Sequence, residues 1–471
     1  MATAGDDMRM RLAATVRTVV ATGLLVAAHL VLTSVSAQAA GYRTLLVDDD
    51  GVQCPGAHYR TIQPAIAAAR GGDTVRVCGG TYVGNITIDK PLTVIARTPA
   101  ATKVDCLSGA PAEFGAAVIR GGIVINATDT KLDGFVVTGA ATGITTSEKA
   151  SGYRIRRNII EHNIDFGIEL QSSGARRTVV ENNCVRANGS GYPQAGIASE
   201  NGALRNAVIR RNTTTGNVEG LSVAGPYPHA DVSIERNTIR QETLGIAISG
   251  AVNSDITAND IDFTGFGEGR AGVTVGGGNV GLTIARNSVV GALPAIFFRR
   301  DGFSAEDPAA TVAAFVVGNT LRDNVGSAFT SVPPATGLPG NLINSLLYRN
   351  VMTGNGGSGA FLASGNDGNV LFGNRSDDNA RGITLGGALN TFVLDNSMRG
   401  NSDVDARDLA LPGKNSWIAN RCATDGHRRP GRHVVRGRRN HVGAGPGAPE
   451  RRRGALAVPS GSGLASRAGR R

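Results

Sequence analysis

From residue 155 to residue 420 the chain repeats one arrangement of apolar and polar positions. One Asn marks each unit: Asn158, Asn182, Asn212, Asn237, Asn259, Asn287, Asn319, Asn350, Asn374, Asn396 and Asn420, at spacings of 22 to 32 residues. Three places before each Asn stands an apolar residue, in order Ile155, Val179, Ile209, Ile234, Ile256, Ile284, Val316, Leu347, Leu371, Val393 and Trp417. Eleven matches in eleven units exceed what a chain of 41% hydrophobic residues gives by chance. Two places after the Asn the residue is again mostly apolar. Five places after it Asn returns, as Asn163, Asn217, Asn324, Asn355, Asn379 and Asn401. Several units then show Gly followed by an apolar residue, such as Gly167-Ile168, Gly220-Leu221 and Gly382-Ile383.

Units of this length with short alternating strands predict an all-β, single-stranded right-handed parallel β-helix, a three-sheet solenoid. Alternate side chains point inward and stack on the coils above and below. The recurrent Asn is expected at a bend, where it tolerates a left-handed backbone and forms an amide ladder between coils. Propeller blades need about 40 residues and four strands each, so these units are too short for one. Upstream, Ile62 to Ala69 reads as a short amphipathic capping helix, and Thr74-Val75-Arg76-Val77 as a strand. A parallel stack has an apolar end that a cap must cover.

Four segments carry a family resemblance: Thr61-Ile62-Gln63 through Ala69, Gly72-Asp73-Thr74-Val75, Gly80-Thr81-Tyr82 and Lys90-Pro91-Leu92-Thr93. They resemble the opening of pectin-lyase-like right-handed β-helix proteins, over roughly residues 44 to 422. The resemblance implies the fold and leaves the activity open, because that superfamily holds lyases, hydrolases, epimerases and adhesins. It also implies that any enzyme site lies on the outer face of the sheet that the Gly-apolar motif begins. Alternation turns Glu169, Gln171, Ala198, Ser222, Ala247, Thr274, Phe297, Arg299 and Thr384 outward there. Glu169 and Arg299 are the ionisable candidates for catalysis on this face, about five coils or roughly 24 Å apart. The small neutral residues between them suit binding better than proton transfer. Longer units place insertions beside the face, at 189–195, 225–231, 262–271, 299–310 and 331–340.

Composition adds the context. The segment from Arg421 to the end holds thirteen Arg, no Lys and two acids, so it carries +11 and leaves the rest of the chain at −1. The folded body therefore offers no nucleic acid a basic surface. Residues 1–40 read as a signal peptide: Arg9, Arg11 and Arg17, an apolar run from Val19, then the small-residue pattern Ala37-Gln38-Ala39. The expected domains are the signal at 1–40, the β-helix at 41–422 and a disordered basic tail at 423–471. A secreted or extracellular, cell-envelope-associated monomer follows, with no membrane span once the signal is removed. Five Cys suit an oxidising compartment. Cys54 and Cys78 flank one short segment and are the best disulfide pair; the pairing of Cys106, Cys184 and Cys422 stays open.

Further candidates each have a plainer alternative. Glu161 and His162, with Asp165, offer an acid/base pair or a solvated turn. His229 with Asp231 offers the same choice within an insertion. Arg157, Arg211, Arg236, Arg286 and Arg349 directly precede the key Asn and form a spaced basic stripe, which meets an acidic polysaccharide or simply stays solvated. Phe297 adds an aromatic contact for a ligand. Asp48-Asp49-Asp50-Gly51 offers Ca²⁺ ligands or a capping turn; no other cofactor is indicated. Seven His and five Met without clustering argue against copper handling. The sequence reading is a secreted β-helix protein that interacts with extracellular or cell-wall polysaccharide without a recognisable catalytic motif. A polysaccharide lyase, epimerase or hydrolase is one alternative, and a structural or adhesive surface protein the other.

Overall fold

Apart from the first two strands, Thr44–Val47 and Thr74–Val77, the short alternating segments form strands that skip their sequence neighbours and pair in parallel with a counterpart one unit away. The computed structural model describes residues 41–100, 106–108, 115–189, 191, 194–265, 271–299, 310–332 and 341–424. All of them fall in one compact unit, 1–436; the second unit, 437–471, has no described residue. The signal segment 1–40 and the basic tail from Asp425 lie outside the described residues, as do most of the insertions at 299–310 and 331–340.

Three parallel sheets run the length of this right-handed β-helix. The first extends from β1 (Thr44–Val47) to β44 (Ser416–Ile418), the second from β3 (Gly80–Val83) to β45 (Arg421–Cys422), and the third from β4 (Ile86–Ile88) to β43 (Val404–Asp408). Among the described residues they hold sixteen, fourteen and thirteen strands. One continuous core fills the interior, with Ile209, Ile234, Ile256 and Ile284 stacked in register on the first sheet. The helix α1 (Ile62–Ala68) buries Ile62, Ala65 and Ile66 and closes the N-terminal end, as the sequence predicts.

The Asn ladder is present, with two corrections. The left-handed residue is the one before the ladder Asn: Arg157, Arg211, Arg236, Arg286 and Arg349 have φ between +51° and +57°. The ladder Asn itself is buried. Asn212 donates through N and Nδ2 to Oδ1 of Asn237, at 3.0 and 3.1 Å, and Asn237 Nδ2 returns a bond to the carbonyl of Ile209 at 2.9 Å. Each amide therefore satisfies donors and acceptors that the bend would otherwise leave buried and unmet.

The second correction is a one-residue slip. Asn182 occupies the left-handed position (φ +55°), and Asn183 enters the ladder between Asn158 and Asn212. Val180 rather than Val179 then points into the core, and Cys184 turns outward. Two adjacent valines and two adjacent asparagines hid the slip. The shift adds Asn188 to the second ladder, between Asn163 and Asn217.

Two disulfides are formed, Cys54–Cys78 and Cys106–Cys184. The first is the expected pair. The second follows from the slip, because only an outward Cys184 meets Cys106. Cys422 is buried in the last coil.

Candidate functional site

On the outer face of the third sheet, register fixes which side chains are neighbours. Glu169 of β13 (Phe166–Glu169) pairs with Ala198 of β16 (Ala195–Ser199), then Ser222 of β19 (Glu219–Val223), Ala247 of β22 (Leu244–Ile248), Thr274 of β26 (Val273–Val275) and Phe297 of β29 (Ile296–Phe298). This is the outward column predicted from alternation. The flanking outward positions add two carboxylates that the sequence reading passed over. Glu200 stands two residues beyond Ala198, as Arg299 stands beyond Phe297. Glu219 begins the strand that carries Ser222.

These groups converge. Ser222 Oγ donates to Glu200 Oε1 at 2.6 Å. Glu169 Oε1 accepts the backbone N–H groups of Glu200 and Asn201, at 3.2 and 3.1 Å, while its Oε2 is buried without a hydrogen-bond partner. Glu219 and Arg299 line one cavity of about 170 Å³ with Thr274, Phe297 and the apolar Leu244, Ala271 and Leu293. Arg299 lies over the Phe297 ring, 5.7 Å from its centroid. A volume of this size is below the roughly 300–1,000 Å³ of whole-ligand pockets.

Burial shapes the titration of all three acids. Desolvation raises Glu169 above the usual carboxylate range. It raises Glu200 to about 7, opposed by the Ser222 hydroxyl and reinforced by the Glu169 charge. It raises Glu219 to about 8, reinforced by Glu200 and opposed by Ser222 and Arg299. Near pH 7 the cluster thus holds both a proton donor and a group poised to change its charge. The small, neutral face read from the sequence is corrected: between Glu169 and Arg299 lies an acidic cluster.

The remaining candidates separate from this place. Glu161 accepts Arg186 Nε at 2.7 Å, and His162 takes a left-handed turn position (φ +55°) with its side chain in solvent. His229 is fully buried: Nδ1 accepts the N–H of Leu204, Nε2 approaches the carbonyl of Ala224, and burial lowers its pKa to about 4. The Arg stripe exists at the corner between the first and second sheets. It is partly neutralised, Arg157 by Asp133 at 2.7 Å and Arg236 by Glu235 at 3.7 Å, and Arg349 lies over the Tyr348 ring. The carboxylates of Asp48, Asp49 and Asp50 lie together, with oxygens within 4.8 Å of one another. Each also accepts a backbone amide, from Cys54, Thr81 and Val52 respectively. The aspartates therefore bind the capping turn to its neighbours.

Sheet order, buried ladders and capping helix define a right-handed parallel β-helix. A family model described as "Periplasmic copper-binding protein (NosD)" matches residues 108–292. No curated relative matches the sequence. Among solved structures, the A-module of the Azotobacter vinelandii mannuronan C-5 epimerase AlgE4 is similar at 16% identity and TM-score 0.46, over 76% of this chain and 89% of that one. The pectate lyase Pel9A is similar at 15% identity and TM-score 0.29, over 81% and 80%. The Streptococcus pneumoniae surface adhesin PfbA is similar at 10% identity and TM-score 0.35, over 76% and 86%. No helix among the described residues is long and apolar enough to cross a membrane.

Proposed function

We propose that this is an exported protein that binds a polysaccharide across the third sheet, with one sugar residue seated between Glu219 and Arg299. The cavity lined by Glu219 and Arg299 carries this reading, with the hydrogen-bonded Glu200–Ser222 pair close enough to act on Glu219. Protonated and ionised carboxyls offer a glycan both donors and acceptors, Arg299 suits a carboxylate or ring hydroxyl, and Phe297 and Leu244 suit the apolar side of a sugar. The two disulfides fit an oxidising compartment outside the cytoplasm.

A second reading is catalytic, as a lyase, epimerase or hydrolase. Its support is the paired carboxyls whose pKa values are raised to about 7 and about 8. At neutral pH Glu219 would donate a proton, Glu200 would accept one, and Arg299 would offset negative charge developing on the sugar. The name of the matching family model mentions copper. Among the described residues, three ligating His, Cys, Asp or Glu side chains come together only at Asp48, Asp49 and Asp50. All-oxygen donors suit calcium better than copper, so no copper role is proposed.

The test is a panel of neutral and acidic polysaccharides, read for retention and for unsaturated or reducing-sugar products. Binding predicts retention on at least one polymer, lost in Arg299→Ala. Catalysis predicts products as well, lost in Glu219→Gln while retention persists. No retention and no product on any polymer would sink both readings.

A further inference from the structure

The outer face of the first sheet changes character along the helix. In its N-terminal half one outward column alternates Arg156, Glu181, Arg210 and Glu235 in register. Arg210 bridges Glu181 at 2.8 Å and Glu235 at 3.9 Å, a solvated and internally paired ladder. Farther on, across β31 (Phe315–Val317), β35 (Leu346–Tyr348), β38 (Val370–Phe372), β41 (Phe392–Leu394) and β44, the outward positions carry no charge, and all but Ser416 are apolar or aromatic. Phe315 and Phe392 are each 46% exposed, Phe372 40% and Ile418 51%. Such a patch, on the order of 500 Å², is at the upper end of what monomers present to water.

Three occupants are conceivable, and the geometry favours one. The chain after Thr424 is rich in Arg and nearly devoid of large apolar side chains, so it offers no matching apolar surface. A pyranose ring stacks on an open aromatic face. Here Tyr348 and Phe372 stack on each other, 5.2 Å apart at 18°, so each already has an aromatic neighbour on one face. A second copy fits. Flat sheet faces pack about 10 Å apart, and an isologous contact needs only one self-complementary patch.

That complementarity can be read from the register. A two-fold axis along β38 reverses the coil order while preserving strand direction. Phe392 then meets Leu346 of the partner subunit, and Tyr348 meets Leu394 of the partner subunit, large against smaller. At the turn, Arg349 lies one coil before Gly373 and Asp395 one coil after it. The same axis sets Arg349 opposite Asp395 of the partner subunit. We propose that the protein forms a symmetric dimer through this apolar face of the first sheet, with Phe372 at the axis and the Arg349–Asp395 pairs at the rim. This proposal departs from the monomer expected from the sequence.

The test is the mass of the full exported chain by light scattering and sedimentation equilibrium. The wild type runs as a dimer. Phe372→Glu places two charges together at the axis and weakens the dimer about 100-fold, with the far-UV spectrum unchanged. Arg349→Asp also weakens it, and adding Asp395→Arg restores it, a rescue that a general loss of folding does not produce. A wild type that is monomeric at the highest soluble concentration overturns the proposal, as does a Phe372→Glu variant that stays dimeric. If Phe372→Glu abolishes polysaccharide retention while the wild type is monomeric, the face serves a glycan instead and the dimer is likewise refuted.

Discussion

Asn217 donates Nδ2 to Glu242 Oε1 at 3.0 Å, so a carboxyl stands in the second ladder where the preceding coils carry amides. Glu242 is fully buried, and desolvation raises its pKa to about 8. The native protein therefore keeps a proton that the unfolded chain has released. This stabilising effect is whole below the unfolded value near 4.5 and is lost as pH rises through about 8. Glu219 shifts in the same direction.

Thermal stability should fall between about pH 5 and pH 8, by on the order of a few kcal/mol in unfolding free energy. Glu242→Gln keeps an acceptor for Asn217 and removes the titration. Its melting temperature should change less with pH and exceed the wild type at pH 8. A wild-type melting temperature that rises steadily with pH would contradict the buried acid.

Asn182 and Asn183 differ only in which of them enters the ladder. Asn183→Ala removes the acceptor for Asn158 and the donor to Asn212, and should cost about 1–3 kcal/mol in urea unfolding. Asn182→Gly keeps a residue suited to positive φ and should be close to neutral. The reverse order would restore the register read from the sequence.

Cys106–Cys184 closes a loop of 78 residues and ties the segment around residue 106 to the second sheet. Replacing both with Ser should lower stability by about 2–4 kcal/mol, measured by denaturant midpoint. An unchanged midpoint would mean that the crosslink constrains little.

The Arg stripe lies at the corner between the first and second sheets, away from the Glu219 cavity on the third. Changing Arg211, Arg236 and Arg286 together to Ala should leave polysaccharide retention within about twofold, whereas Arg299→Ala abolishes it. Loss of retention in the triple variant would move the binding surface to the stripe.

Much of the fold was legible because one apolar offset and one amide recur along the chain. Ile209, Ile234 and Ile256 point inward as that offset requires. The slip at Asn182 escaped notice because Val179-Val180 and Asn182-Asn183 satisfy the pattern in either register. The outward column from Glu169 to Phe297 was also legible, since period-two alternation determines it. Glu200 was within reach of the same rule, since it occupies the position that Arg299 occupies farther along; Glu219 was not, because alternation counts it with the inward Leu221. What alternation cannot give is the depth at which Glu219 is buried, because Leu244, Ala271 and Leu293 reach the cavity from later coils. The left-handed Arg was missed because Asn is the residue usually expected to adopt that backbone.

Hydrogen exchange of the full chain, with and without the best-retained polysaccharide, tests the central claim most directly. The account predicts added protection at the third-sheet strands carrying Ala198, Glu219, Thr274 and Phe297, and none across the charged half of the first sheet. Protection confined to the first or second sheet, with the Glu219 strand unchanged, would contradict it.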